Sequence, residues 1–284
     1  MEVPSGFVSD EAGQRILVSR VEHRDAVQRA GLLDPGRWEE MLRGGDGPGR
    51  SGTARLNLPQ GPRVVLKRMS RGGWVGPLWR DRFPGASRLL ANLTLPLEAA
   101  RRGIPTASPV ALLLLRAPPG LYRAWLAVEE IFGAQDLLGR IAGTPPLGTS
   151  EMGAVLSFVR RMHDAGLEHR DLNLGNLLVR ERTPGAWEVF IVDLDRAILR
   201  DGPLPARARR VAVRRLLRSY VKNFGSDGPL LAASSFWHRL YAAGDEALER
   251  RLQAGRVATK VLLALHRIGW RARRQARSHR PGTG

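Results

Sequence analysis

The clearest periodicity in the chain lies at 150–165, where Met152, Val155, Leu156, Val159 and Met162 recur three or four positions apart. That spacing predicts an amphipathic helix with its stripe in a core. Before it, residues 1–20 carry a weak alternation (Phe7, Ile16, Val18) that predicts an edge strand. Residues 23–43 read as one or two short helices broken at Asp34-Pro35-Gly36. Strands are expected at 54–58 and 64–67, and a helix at about 86–102 that stops at Gly103 with Pro105 beyond. Leu126 to Gly133 reads as a strand opening into a linker. After the central helix come two short apolar strands, Leu177-Leu178-Val179 and Ile191-Val192. A helix over about 206–223 carries Val213, Leu216, Leu217, Tyr220 and Phe224 along one side. Two further helices, at about 230–252 and 256–275, end the pattern, and no internal repeat interrupts it.

Between these elements sits a dense run of polar chemistry. His169-Arg170-Asp171-Leu172-Asn173-Leu174-Gly175-Asn176 leads into the first short strand, and Asp193-Leu194-Asp195 closes the second. Asp171 and Asn176 are separated by four residues, the spacing of a kinase catalytic loop. In such a loop the aspartate accepts the proton of the attacking hydroxyl and the asparagine holds a metal ion. Asp193 is then the second metal residue, holding Mg²⁺ against the phosphates with few protein ligands, as that ion prefers. Asp195, two positions on, would point to the same face if the strand continues, to touch metal or to brace the loop. His169 and Asn173 read as loop-ordering residues.

Composition narrows the setting. With 43% hydrophobic residues the chain can bury a core, and it has no cysteine, which excludes disulfides and thiolate metal sites. No basic stretch followed by an apolar one opens the sequence, so a signal peptide is not expected; the longest apolar run, Val110 to Leu115, is too short to span a bilayer. The formal charge is +18, nearly all arginine, because Lys67, Lys222 and Lys260 are the only lysines. Arginines crowd at 207–218 and again at 267–280. Such clusters suit an acidic partner: nucleic acid, anionic lipid or a phosphorylated ligand.

Lys67 lies on a predicted strand after a glycine-dense stretch, Gly44 to Gly52, where kinases place a phosphate-binding lysine and backbone groups that approach phosphates. Basic and aromatic residues interleave at 70–87 (Arg71-Gly72-Gly73-Trp74, Trp79-Arg80-Asp81-Arg82-Phe83), as in an insertion between strand and helix, or a surface that meets a membrane interface or a sugar.

Residues 49–284 resemble the lipopolysaccharide core kinases, which phosphorylate Kdo and heptose in the Gram-negative inner core. The matching pieces are Gly49-Arg50-Ser51-Gly52, Leu66-Lys67-Arg68, Arg71-Gly72-Gly73, Gly103-Ile104-Pro105-Thr106, Glu129-Glu130-Ile131, His169 to Asn176 and Asp193-Leu194-Asp195-Arg196. The resemblance implies an α+β, bilobal protein-kinase-like fold: a β-rich N-lobe over 1–128, a hinge at 129–134 and a mainly helical C-lobe over 135–284. It implies ATP and Mg²⁺, with Gly49, Arg50, Ser51, Gly52, Lys67, Glu129 and Ile131 around the nucleotide, Asn176 and Asp193 on the metal, and Asp171 with Lys67 in catalysis. The implied acceptor is a lipid A–core glycolipid, reached from the cytoplasmic face of the inner membrane through an anionic surface, and nucleic acid is not an expected partner. In one place the chain departs from the family: the acidic partner of the lysine falls on Asn92, and the nearest carboxylate on that helix is Glu98. Six positions put these about 240° apart, and Pro96 between them is expected to kink the helix.

Three rival readings meet features of the chain that oppose them. A protein kinase needs a long activation segment closed by Ala-Pro-Glu, whereas the basic helix begins about ten residues after Asp195. An aminoglycoside or choline phosphotransferase shares the loop, yet usually lines its cationic acceptor's pocket with acids. A pseudokinase binding anionic lipid would not need Lys67, Asp171, Asn176 and Asp193 together.

Overall fold

The architecture is described from a computed structural model, in which residues 2–44, 52–70, 81–118, 120–144, 147–225 and 234–253 are placed. The chain divides into two compact units, Met1–Phe132 and Gly133–Gly284.

The first unit is built on one antiparallel sheet. Its strands are β1 (Phe7–Ala12), β2 (Arg15–Arg20), β3 (Thr53–Asn57), β4 (Arg63–Arg68), β5 (Phe83–Pro84), β6 (Pro109–Ala117) and β7 (Leu121–Glu129), in the order β1-β2-β6-β7-β4-β3 with β5 on β7. Strand β6 explains the apolar run at 110–115, because both faces of the sheet are covered. Leu113 packs with Leu17, Leu66, Trp38 and Trp125 under helices α1 (Arg24–Arg29) and α2 (Pro35–Arg43). Leu112 and Leu114 pack with Leu89, Leu93 and Leu126 under α3 (Ser87–Arg101). Each leucine so buried stabilises the unit by about 1.5–3 kcal/mol relative to exposure.

Two expectations shift here. Residues 1–20 supply the expected edge strand, β1, but as half of a hairpin, and in its partner β2 Ile16, Leu17 and Val18 are all buried and show no alternation. Asp34-Pro35-Gly36 starts a helix as well as breaking one. Asp34 is the N-cap of α2, its side chain accepts from the Gly36 N–H at 3.2 Å, and Pro35 takes the first turn, where its missing N–H costs nothing.

The second unit places β8 (Gln135–Asp136), β10 (Leu177–Thr183) and β11 (Ala186–Ile191) in a three-stranded sheet, and β9 (Leu167–His169) with β12 (Ala197–Leu199) in a pair. Helices α4 (Leu137–Ala142), α5 (Thr149–Asp164), α6 (Ala206–Phe224), α7 (Ser234–Ala242) and α8 (Glu246–Gln253) surround them. All five stripe residues of α5 are fully buried. The helix expected over 230–252 is two, because Ala243 and Gly244 take positive φ (47° and 88°) and stop α7. The expected helix at 256–275 lies outside the described residues. No helix among the described residues is long and apolar enough to cross a membrane.

A buried polar cluster ties α5, α6 and α7. His163 Nδ1 and the Tyr241 hydroxyl are 2.7 Å apart, and Arg209 pairs with Asp164 while donating to the Leu204 carbonyl. Burial pushes His163 down to about 3 and lifts the Tyr241 phenol above its ordinary range. An unfolded histidine titrates near 6.5, so below that pH the unfolded chain takes up a proton that the native chain refuses. Stability from this group is full above about 6.5 and falls by about 1.4 kcal/mol per pH unit as pH drops toward 3. Urea melts at about pH 7 and pH 5 should therefore show a marked acid loss that shrinks in His163→Gln. Equal slopes in both proteins would refute it.

Candidate active site

The local sequence dictates how the loop after β9 is held. The segment 170–176 joins β9 to β10, and 192–196 joins β11 to β12. Because β9 pairs with β12 (His169 opposite Ala197) and β10 with β11 (Leu177 opposite Ile191), the two loops lie side by side. The Val192 N–H donates to the Asn176 carbonyl at 2.9 Å, which closes the gap between them.

Asp171 is fixed by its backbone. Its N–H donates to His169 Nδ1 at 3.3 Å, and its carbonyl accepts from the Asn173 and Asn176 carboxamides at 2.9 and 3.0 Å. Asn173 Oδ1 accepts in turn from the Gly175 N–H at 2.9 Å. With both peptide groups tied, the exposed Asp171 carboxylate makes no hydrogen bond among the described residues. The His169 ring spans the two loops, its Nε2 lying 3.3 Å from the Val192 carbonyl. Since Nδ1 accepts, Nε2 carries the proton. Burial lowers the His169 pKa, opposed by the Val192 carbonyl and the charges of Asp193 and Asp171, so the ring stays neutral at pH 7. These are the bonds of loop-ordering residues.

Asp193 takes a left-handed backbone (φ 64°, ψ 58°), uncommon for a residue with a side chain and costing on the order of 1–3 kcal/mol. The chain turns there into a short 3-10 segment, Leu194–Arg196, with Leu194 buried. That corrects the expected strand continuation. Asp195 sits in the 3-10 turn, so the two carboxylates do not share a strand face. Asp193 is exposed and Asp195 half-buried.

As for a metal, the Asn176 Nδ2 is engaged with the Asp171 carbonyl, which turns Oδ1 the other way, and Asp193 adds an exposed carboxylate. Both are hard oxygen donors and fit Mg²⁺, which completes its shell with phosphate and water. Among the described residues no cluster of three or more His, Cys, Asp or Glu forms an all-protein metal cage.

The first unit carries the other candidates. Lys67 lies on β4 opposite Thr53 of β3 and Leu126 of β7, half-buried. Gly49, Arg50 and Ser51 lie outside the described residues, as does Arg71-Gly72-Gly73-Trp74. Gly52 has a φ of 117° and open space where a Cβ would stand. The glycine-dense stretch follows a helix, α2, and precedes β3. At the end of β7 the Glu129 N–H donates to the Ser108 carbonyl and the Glu130 N–H to the Arg63 carbonyl. The Glu130 side chain pairs with Arg55 and Arg63 at 2.6 and 2.7 Å. Ile131 lies past the strand, with its N–H in no backbone bond among the described residues.

On α3, Asn92 is buried and its amide donates to the Arg88 and Leu89 carbonyls, while Glu98 is turned outward to Arg101 and Arg102. The helix runs unbroken through Pro96.

Sequence reasoning missed Ser219. This residue on α6 accepts the Leu174 N–H at 3.3 Å, across 45 positions. A lone serine in an arginine-rich helix gives no local signal of that.

A β-rich first unit, a helical second unit and a clamped His-Arg-Asp loop beside an aspartate turn define a phosphotransferase of the protein-kinase-like fold. Consistent with that fold, the chain superposes on the structure of WaaP in complex with acyl carrier protein with a TM-score of 0.54 and 20% identity, over 89% of this chain and 98% of that one. The family model of the lipopolysaccharide kinase (Kdo/WaaP) family matches residues 37–242, and the chain belongs to that family. It is similar to the 3-deoxy-D-manno-octulosonic acid kinase of Xanthomonas campestris pv. campestris (strain B100), 33% identical over 219 residues, 74% of this chain and 82% of the relative. The enzyme of the same name from Xylella fastidiosa (strain M12) is 31% identical over 197 residues, 68% of this chain and 75% of the relative. The protein is a kinase that acts on a sugar hydroxyl of the lipopolysaccharide core.

Proposed function

We propose that this kinase transfers the γ-phosphoryl group of ATP to a hydroxyl of Kdo in the inner core of a lipid A–linked glycolipid. The observation that carries the choice of sugar is the 33% identity to 3-deoxy-D-manno-octulosonic acid kinases across four-fifths of their length. Asp171 orients the acceptor hydroxyl and takes its proton. Its pinned backbone means that no reorganisation is needed when the acceptor arrives. Lys67 neutralises the α- and β-phosphates, Gly49, Arg50, Ser51 and Gly52 approach the phosphates, and Glu129 and Ile131 offer backbone groups to adenine. Asn176 and Asp193 would hold Mg²⁺, whose charge offsets that of the transferring phosphoryl group. Transfer of labelled γ-phosphate to extracted lipid A–core, with free Kdo, heptose and a generic protein as controls, tests this reading. Labelling of heptose alone, or of protein, would overturn it.

The acceptor is membrane-bound, so we place the enzyme peripherally on the cytoplasmic face of the inner membrane. The arginine clusters at 207–218 and 267–280 serve as contacts for anionic lipid. Each basic residue near the surface adds about 1 kcal/mol at best. Binding to anionic vesicles should exceed binding to neutral ones and weaken with salt. Equal binding to both would count against it.

In the first unit Asn92 stands where an acidic partner for Lys67 is expected, and Glu98 is held at the surface by two arginines. Glu98→Ala should therefore leave the KM for ATP within about twofold, because an exposed ion pair of this kind contributes little. Asn92→Glu should be tolerated or should tighten ATP. A large rise in KM on Glu98→Ala, with Asn92→Ala silent, would reverse the assignment.

A further inference from the structure

Helix α6 contains no acidic residue. Of its arginines, Arg209 is buried and paired with Asp164, whereas Arg207, Arg210, Arg214, Arg215 and Arg218 make no ion pair among the described residues. Arginines elsewhere in the chain are commonly paired, among them Arg24, Arg55, Arg68, Arg140, Arg180 and Arg200. An uncompensated row on one helix raises the local potential and leaves its guanidiniums for an outside anion.

Helix α6 meets the catalytic loop at Ser219. At 100° per residue, Arg215, Ser219 and Lys222 fall within about 60° of one another on a single edge of the helix. Arg218 lies about 60° from Arg215, while Arg207, Arg210 and Arg214 lie about 120–180° round from Ser219. Ser219 holds Leu174, three residues after Asp171, so Arg215 on one side and Lys222 on the other stand one helical turn from that contact, with Arg218 beside Arg215. Arg215 is half-buried and Arg218 exposed.

The acceptor in the proposed reaction is itself acidic, through a sugar carboxylate and nearby phosphates. It approaches a site where Asp171, Asp193 and a triphosphate already concentrate negative charge. In the proposed assignment Lys67 and the metal residues meet the nucleotide's charge, and the acceptor's own charge calls for further cations. We propose that Arg215 and Arg218 form an anion-binding strip on the acceptor side of the catalytic loop, which takes the carboxylate or phosphate of the acidic sugar acceptor and delivers its hydroxyl to Asp171. This deepens the reading of the protein as a Kdo kinase and rests on it.

The test uses the full-length protein and lipid A–core in neutral detergent micelles, so that no charged membrane contributes. Arg215→Gln/Arg218→Gln should raise the KM for the glycolipid about tenfold or more with kcat changed little, since charge-assisted hydrogen bonds are the strong ones and these act on binding. Arg182→Gln/Arg250→Gln removes the same charge elsewhere in the second unit and should move that KM less than twofold. Arg215→Lys/Arg218→Lys should restore most of the affinity, which a packing defect would not allow. Competition by free Kdo and by inorganic phosphate tells whether carboxylate or phosphate occupies the strip. An unchanged KM in the Gln pair, or an equal rise in the control pair, overturns the proposal. If the wild type phosphorylates no lipid A–core, the Kdo kinase reading fails by itself. Direct binding of the same micelles then decides the strip: affinity lost in the Gln pair alone supports it, and affinity retained overturns it.

Discussion

Asp171→Ala is expected to lower turnover by about two to four orders of magnitude while ATP binding is largely kept. The carboxylate is exposed and bonded to nothing among the described residues, so its removal leaves no buried partner unsatisfied and should cost little stability. What disappears, in the proposed reaction, is the group that would hold and deprotonate the acceptor hydroxyl. The surrounding frame is independent of that carboxylate: His169, Asn173 and Asn176 bond to the peptide groups of residue 171 and persist in alanine. Asp193→Ala should behave differently and lose Mg²⁺-dependent nucleotide binding as well as turnover. Its backbone is left-handed, a conformation alanine adopts with some strain, so the glycine variant is the cleaner probe. Initial rates, together with nucleotide titrations with and without Mg²⁺, separate the two. Near-normal turnover in both variants would remove these residues from the chemistry.

Particular residues show how far the sequence carries. The stripe of α5 was legible because one face meets one core, and its five members are fully buried. The loop at 169–176 was legible because many of its bonds join residues two to five positions apart, although His169 reaches Val192 and Leu174 reaches Ser219. The hairpin at the N-terminus was not, since covering both faces of β2 erases the alternation on which strand recognition depends. The break between α7 and α8 rests on Ala243 and Gly244 adopting left-handed conformations, and a glycine near helix residues reads ambiguously. The turn at Asp193 was not legible either, because aspartate enters the left-handed region more often than most residues but in only a small share of its positions. Ser219 illustrates the other limit: a contact 45 positions away is fixed by packing.

Gly166→Ala should be severely destabilising, by about 3 kcal/mol or more, in a chain whose catalytic loop looks unrelated to that position. Gly166 has a φ of 88°, and a Cβ there would stand 2.3 Å from the Arg200 carbonyl oxygen and 2.9 Å from that of Gly202. Neither obstacle is the tip of a flexible side chain. The Arg200 N–H donates to the Gly166 carbonyl at 3.0 Å, so the two segments cannot part without losing the β9–β12 junction that sets the loops side by side. The Leu204 N–H is bonded to the His163 carbonyl just beyond, and Arg209 holds Leu204 from α6, which prevents the segment after β12 from drifting away. Gly153 supplies the contrast. It lies inside α5, without positive φ and with no atom within 4 Å of a built Cβ. There the same substitution should stabilise by about 0.4–1 kcal/mol, by restricting the unfolded chain and favouring the helix. Urea melts of the two variants should move in opposite directions. Gly166→Ala unfolding at wild-type denaturant would show that the close approach of 166 to 200 is not a constraint on the fold.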